Sequence, residues 1–546
     1  MQETPPSFPS RLSLVRDARL VAVLLLIAVS LRAWQVTHTE VAARDSIGFI
    51  RQAWHFRDHS LVEVLRSSEQ HPGYPMMIVA VSWPTRHFGS GSEAALMQLS
   101  AQLTSAVAGV LLVLPMFLLG KALFNRAVGF GAALLFQVLP TSGRVMADGL
   151  SEGTFLLLAA TALWLGVIAL RGRSKLLFGL AGLAGGLAYL TRPEGAAVVA
   201  ATGAVLLGMQ IKKAWRRSWS QMAICGVCLL AGWALIGGPF MAVTGKFTIK
   251  NTGNQILRPD KVESDAPTPP DQKEASVKVD LPQASWVSGI WESRWSWGAR
   301  KLGTELLKGF FYVAWVPALL GMWWRRGRLG RTPGLWVLLL VSAALLLVLY
   351  RVATFMHYLS DRHTLLMILC ACYWSAAGVL AIGWRLADWF RTRLVRNEVT
   401  IRPIFALSQS LARDPRFWSG LLLVSLTSAT LYKNLEPLHA NRKGFRDAGQ
   451  WIALHTDKSD EVIDPYCWTH YYAGRVFLEE QPPEVPPGHC RVWYVVVDES
   501  GNEHPRLKID AELLRNARQG QRIFESSGKR KKDVCDVCVY ALSTRP

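Results

Sequence analysis

Two stretches of this 546-residue chain, 99–120 and 333–350, contain no charged residue at all. Runs that approach or reach about 18–20 residues are long enough to cross a hydrocarbon core as helices, and this is the feature that most limits the fold. Lipid leaves backbone groups no partner outside the segment, so such runs must be helical. The rest of the chain agrees. Only 18% of residues are charged, against about 25% in ordinary soluble domains. A soluble cytosolic enzyme, a disordered chain and a small disulfide scaffold are excluded. The net charge of +20 requires no nucleic acid, because Lys and Arg concentrate in short loops between apolar runs. The 22 tryptophans suit rings settled at the lipid–water boundary.

About eleven apolar runs follow one another: 20–34, 99–120, 127–140, 149–170, 176–190, 195–209, 221–243, 305–324, 333–350, 364–384 and 417–432. The first follows Arg16 and Arg19 and reads as an uncleaved anchor, with a signal peptide as the alternative. With the N-terminus cytoplasmic and every run crossing, the inner loops hold Lys121/Arg126, Arg171/Arg173/Lys175, Lys212/Lys213/Arg216/Arg217 and Arg325/Arg326/Arg328/Arg331, followed by the arginine-rich segment 385–416. That is the positive-inside pattern, and it places the C-terminus outside. The expected fold is mainly α: a polytopic membrane helical bundle with a small extramembrane α/β domain. Residues 1–432 form the membrane domain, with long outer loops at 41–94 and 244–300, and residues 433–546 the outer domain. Within the second loop, 258–274 is Pro-, Asp- and Lys-rich and expected to be mobile. Trp286, Trp291, Trp295 and Trp297 are expected on a helix along the interface, as an anchor. In the outer domain, 461–465, 491–497 and 534–542 read as strands, with a helix at 511–518.

Cys225, Cys228, Cys370 and Cys372 fall in apolar spans and read as small core residues. Cys467, Cys490, Cys535 and Cys538 fall in the outer domain, where disulfides are expected if the compartment is oxidising, with the pairing open. The two Cys-x-x-Cys pairs do not favour zinc. One lies in a membrane helix, and Cys535 and Cys538 sit in a strand pattern that points them to opposite faces.

Ionisable groups at membrane depth are costly and mark functional candidates. Three clusters face outward in this topology. Asp45, just after the first span, is followed by His71-Pro-Gly-Tyr-Pro75. It serves as a base if its apolar setting raises its pKa, or caps a helix. Arg144, Asp148 and Glu152 are spaced four apart at the entrance to the fourth span, on one face if helical. Leu190-Thr-Arg-Pro-Glu-Gly195 joins two runs of only about fifteen residues, which holds Arg192 and Glu194 at membrane depth. Asp361, Arg362 and His363 open the tenth span on the same side. Arginines suit a phosphate, and displacing a phosphate from an anomeric carbon needs charge stabilisation more than a proton donor. One carboxylate then suffices to deprotonate an incoming hydroxyl, which describes a single-base inverting transfer. The inner loops contain no Asp-x-Asp motif and leave no room for a nucleotide-sugar domain.

Through Asp45, His71-Pro-Gly-Tyr-Pro75, Gly186-Leu-Ala-Tyr-Leu-Thr-Arg-Pro-Glu-Gly195 and Asp361-Arg-His363, the chain resembles the GT-C glycosyltransferases that use polyprenyl-phosphate sugars. The likeness is to bacterial relatives of protein O-mannosyltransferases and of the aminoarabinose transferase acting on lipid A, and it covers 19–384. The resemblance implies an enzyme of the inner membrane with an outward-facing site. Its partners would be a polyprenyl-phosphate-sugar donor, a protein, lipid or glycan acceptor and membrane lipid, without nucleic acid. It implies Asp45 as catalytic base, and Arg192 and Arg362 as ligands of the donor phosphate. His71, Arg144, Asp148, Glu152, Glu194 and His363 are expected to shape the pocket. Many members carry a second acidic residue beside the base, where this chain has Ser46. A divalent metal is left open, because Asp45, Asp148 and Glu152 can share one only if the fold brings them together; no nucleotide cofactor is expected. The alternative function is a transporter or flippase for lipid-linked sugars, which should show matched repeats and broken spans; none is evident.

Overall fold

The computed structural model describes residues 11–68, 70–172, 174–212, 215–216, 218–248, 294–396, 410–500, 509–526 and 536–544. The chain enters through α1 (Arg11–Thr37) and then forms four helices in the first outer segment and its return: α2 (Arg44–Asp58), α3 (Leu61–Ser67), α4 (Gly73–Phe88) and α5 (Glu93–Leu111). The bundle continues with α6 (Val113–Leu123), α7 (Arg126–Val138), α8 (Pro140–Val145), α9 (Glu152–Gly172), α10 (Lys175–Thr191), α11 (Gly195–Gly208) and α12 (Trp219–Thr244). After the second outer loop come α13 (Arg294–Gly309), α14 (Trp315–Arg325), α15 (Gly334–Met356), α16 (Leu365–Arg396) and α17 (Pro415–Asn434).

Among the described residues, five helical stretches are long and apolar enough to cross a membrane: Glu93–Leu123, Glu152–Gly172, Trp219–Thr244, Gly334–Met356 and Asp361–Arg393. Helices α7, α10 and α11 are apolar but shorter. Most apolar runs read from the sequence coincide with one helix. The run 305–324 does not: it divides into α13 and α14, because Phe311 and Tyr312 take left-handed backbone conformations with φ near 50°. Side-chain residues seldom adopt that region. Trp295 and Trp297 lie on α13 and meet Tyr350 and His357, at 6.1 and 5.3 Å between ring centroids. Trp286, Trp291 and the stretch 258–274 lie outside the described residues.

The C-terminal part holds a four-stranded sheet of β1 (Glu461–Ile463), β2 (Trp493–Asp498), β3 (Gln521–Glu525) and β4 (Val537–Leu542), in the order β1-β2-β4-β3. β1 runs parallel to β2, and the other neighbours are antiparallel. Three helices accompany it: α18 (Lys443–His455), α19 (Trp468–Tyr472) and α20 (Ala511–Ala517). Strand β3 is absent from the sequence reading; Gln521-Arg-Ile-Phe-Glu525 carries only two apolar residues, too few for a period-two signal. Cys467, Cys490 and Cys538 are free thiols, so the expected bridges do not form among them; Cys535 lies outside the described residues.

This unit does not stand apart from the first outer segment. Val41, Ile47, Ile50, Tyr74 and Met97 share one buried cluster with Phe445, Ile452, Trp468 and Tyr471. Polar contacts tie the same seam. Trp468 Nε1 donates to the Ala42 carbonyl at 2.8 Å, Ala42 N–H donates to the Tyr472 hydroxyl at 2.8 Å, and Tyr471 donates to the Ala94 carbonyl at 2.7 Å. A buried hydroxyl or indole N–H without a partner is costly, so these bonds fix how the unit seats. Seated there, it roofs the space above the helix ends.

Candidate active site

Under that roof lies a cavity of about 680 Å³. Asp45 reaches it because α2 begins at Arg44, straight after the clamped Ala42, and puts Asp45 in its first turn. Arg362 reaches it from a single 3₁₀ turn, Asp361–Thr364, just ahead of α16. The two side chains form an ion pair on the cavity wall, across 317 residues of sequence. The Asp45 carboxylate is 48% exposed and the Arg362 guanidinium 22%.

Arg144 and Asp148 also line this cavity. Asp148 is buried and pairs with His439 Nε2 at 2.7 Å. Arg144 makes no side-chain hydrogen bond or ion pair among the described residues, and so presents a free guanidinium to the space. Among the described residues the walls carry six Lys or Arg side chains against three aspartates. Cationic excess on a concave wall selects an anion.

Beneath the wall the charges are wired to one another. Arg362 Nε lies 4.0 Å from Glu152 Oε1, which accepts from Arg192 Nη1 at 2.6 Å. Arg192 Nη2 donates to Glu194 at 3.2 Å. Glu152 opens α9 and is almost wholly buried; Arg192 and Glu194 form the α10–α11 turn. That turn is forced tight: a Cβ at Gly195 would stand 2.4 Å from the Tyr189 amide nitrogen, a distance only glycine tolerates. His363 borders the same inner pocket, and its Nδ1 accepts from the Ser360 amide at 3.3 Å, which caps the turn bearing Arg362.

Of the residues singled out in the sequence, Asp45, Arg144, Asp148 and Arg362 meet on the cavity wall, and Glu152, Arg192, Glu194 and His363 gather behind Arg362. His71 joins neither group. It is buried against Tyr189 and Phe240, with ring centroids 5.6 and 5.3 Å away. Asp45, Asp148 and Glu152 do not converge as a metal-ligand group; among the described residues the group that does is His55, His59 and Glu480. Ser46, beside Asp45, is buried and points away from the cavity: a Cβ on Gly149, at φ +67°, would stand 2.6 Å from its hydroxyl.

The sequence reading missed Arg44, Lys308, Tyr312, Lys433, Arg442 and Trp468, all on the wall. Arg442 stacks on the Trp468 ring at 4.3 Å. Arg44 could have been found as the neighbour of Asp45. Lys433, in the last turn of α17, and Arg442, in the roof, carry no local signal that ties them to the cavity.

The molecule has the GT-C glycosyltransferase fold. Residues 94–235 match the family described as dolichyl-phosphate-mannose-protein mannosyltransferase. The chain superposes on the oligosaccharyltransferase AglB of Archaeoglobus fulgidus, solved with an inhibitory peptide and a dolichol-phosphate. The match has a TM-score of 0.53 at 14% identity, covering 90% of this chain and 70% of that one. It superposes equally on ArnT of Cupriavidus metallidurans bound to undecaprenyl phosphate, with a TM-score of 0.52 at 12% identity, covering 96% and 97%. At these identities the likeness is one of fold. No curated protein matches the sequence.

Proposed function

We propose that this protein is an integral-membrane glycosyltransferase that moves a sugar from a polyprenyl-phosphate donor to a hydroxyl of a protein, lipid or glycan, with inversion. The cavity opens on the outer side of the membrane, with the N-terminus cytoplasmic. Residues 1–432 carry the reaction, and 433–546 supply the roof. The observation that carries this reading is the contact between one half-exposed carboxylate, Asp45, and one arginine, Arg362, on the wall of a cation-rich cavity. The lipid phosphates in the AglB and ArnT structures support the donor class.

Asp45 accepts the proton of the incoming hydroxyl as its oxygen bonds to the anomeric carbon. The carbon–oxygen bond to phosphate breaks, and the phosphate leaves with the electron pair. Arg362 and Arg144 hold the growing charge on that phosphate, a task arginine performs through paired N–H donors. An aspartate held by an arginine is a poor base. Donor phosphate competes for the Arg362 guanidinium, so binding of the donor releases Asp45 to act. Arg192 does not reach the cavity wall. Its place is behind Arg362, where it holds Glu152 and through it the orientation of Arg362. No step is routed through a metal, because Asp45, Asp148 and Glu152 do not converge and each of these three faces a cationic or imidazole partner.

The test is turnover by the purified protein in nanodiscs, followed as release of polyprenyl phosphate from a panel of polyprenyl-phosphate sugars. Arg362→Lys keeps the charge but loses the paired donors, and is expected to weaken donor binding by about tenfold or more. Donor consumption that is indifferent to both Asp45→Asn and Arg362→Lys would refute the assignment.

A further inference from the structure

We propose that His55, His59 and Glu480 form a binding site for a zinc-class divalent cation that clasps the outer end of α2 to the C-terminal unit. His55 stands in the last turn of α2 and His59 is its C-cap residue. Four residues apart, the two imidazoles rise from one face of the helix, with ring centroids 6.1 Å apart. Glu480 approaches them just beyond the 3₁₀ turn Arg475–Leu478. Its two oxygens are divided between the rings: Oε1 contacts His55 Nδ1, and Oε2 lies 2.6 Å from His59 Nε2. One nitrogen from each histidine and one oxygen from the glutamate all lie within 4.8 Å of one another.

Two imidazoles and a carboxylate are a zinc ligand set, with bonds of about 2.0–2.2 Å and a fourth position for water. Imidazole selects zinc and its transition-metal neighbours over magnesium and calcium. About a third of each of the three side chains is exposed, so the fourth position is open to solvent and the ligands can part to admit an ion. Outer support is present as well: Glu63 Oε2 lies 3.7 Å from His59 Nδ1, on the far side of the ring from Glu480. At that distance it adds negative charge beside the site without a hydrogen bond to the ring. The adjacent acid, Glu479, is engaged by Arg51 at 2.5 Å, which leaves Glu480 to the histidines.

The site has a structural consequence. The start of α2 is held by Trp468 and Tyr472 through Ala42, and a cation at its end would hold the other terminus to the same unit. The helix bearing Asp45 would then be secured at both ends. The inference does not depend on the reaction assigned to the cavity.

Full-length protein prepared without a histidine tag, in nanodiscs and stripped with chelator, is titrated with ZnCl₂ and separately with MgCl₂. Expected are one saturable zinc equivalent per chain that the His55→Ala/His59→Ala variant lacks, a rise in unfolding midpoint with zinc, and neither effect with magnesium. Glu480→Gln, which keeps the shape, weakens zinc binding by about tenfold or more. Should the double variant not fold, Co²⁺ absorption bands of a tetrahedral site in the wild type, lost in His59→Gln, carry the same information. Equal zinc stoichiometry in wild type and variants, or no saturable binding by the wild type, overturns the proposal.

Discussion

Asp45 and Glu152 are both carboxylates beside the same guanidinium, that of Arg362, yet their surroundings differ. The Asp45 side chain is 48% exposed and opens on the cavity; that of Glu152 is 4% exposed and closed in by Arg192 and Arg362. A half-exposed charge loses little hydration and can exchange partners, whereas a buried one is locked to its counter-ions because leaving them costs several kcal/mol. The outer pair is therefore suited to chemistry and the inner stack to holding geometry.

The sharpest way to break this contrast is Asp45→Asn. Loss of a general base typically slows a reaction by about 10²–10⁴-fold, and turnover should fall in that range while the thermal unfolding midpoint stays near that of the wild type. The mirror experiment is Glu152→Gln. It leaves Arg192 and Arg362 without their shared anion, and removing one partner of a buried pair costs about 3–5 kcal/mol. The midpoint should drop clearly, and donor affinity should fall with it. If Asp45→Asn destabilised as much as Glu152→Gln, the distinction between the two carboxylates would be lost.

Arg144→Ala tests the outer wall from another side. A hydrogen bond to a charged group contributes about 1.5–3 kcal/mol, so affinity for polyprenyl phosphate should fall roughly tenfold or more, with a shallower salt dependence and unchanged stability. The smallest effect concerns the roof. Burial pushes the His470 imidazole down to about 4, helped by Arg51 and Arg475. A lowered pKa means the unfolded chain takes up a proton first, so this residue's contribution is present above about pH 6.5 and lost as pH falls toward 4. Compared with His470→Gln, the wild type should lose more of its unfolding midpoint over that window.

Much of the membrane fold was legible because lipid imposes long apolar runs, and most of those runs became single helices. The run 305–324 misled because Lys308-Gly-Phe-Phe-Tyr312 keeps its hydrophobicity through a backbone break. Charged residues singled out at the ends of the runs lie together in pairs: Asp45 with Arg362, and Glu152 with Arg192. Their division into an outer pair and an inner stack was not legible, since it depends on burial that no local spacing encodes. His439 and Arg442 were hidden for the same reason; they follow α17, the last helix of the bundle, and reach the cavity with the C-terminal unit that packs on α2, while Lys433 stands in the last turn of α17 itself. His71 shows the opposite error. A histidine in a Pro-Gly turn near the membrane looked like a pocket residue, and in the structure it packs between aromatic rings.

The central claim is that donor phosphate takes Arg362 away from Asp45. A cryo-EM reconstruction of the protein in nanodiscs loaded with polyprenyl phosphate tests it most directly. The account predicts phosphate density against Arg362 and Arg144, with the Asp45 carboxylate separated from Arg362 and facing the open cavity. Phosphate bound elsewhere, with the Asp45–Arg362 pair still closed, would contradict it.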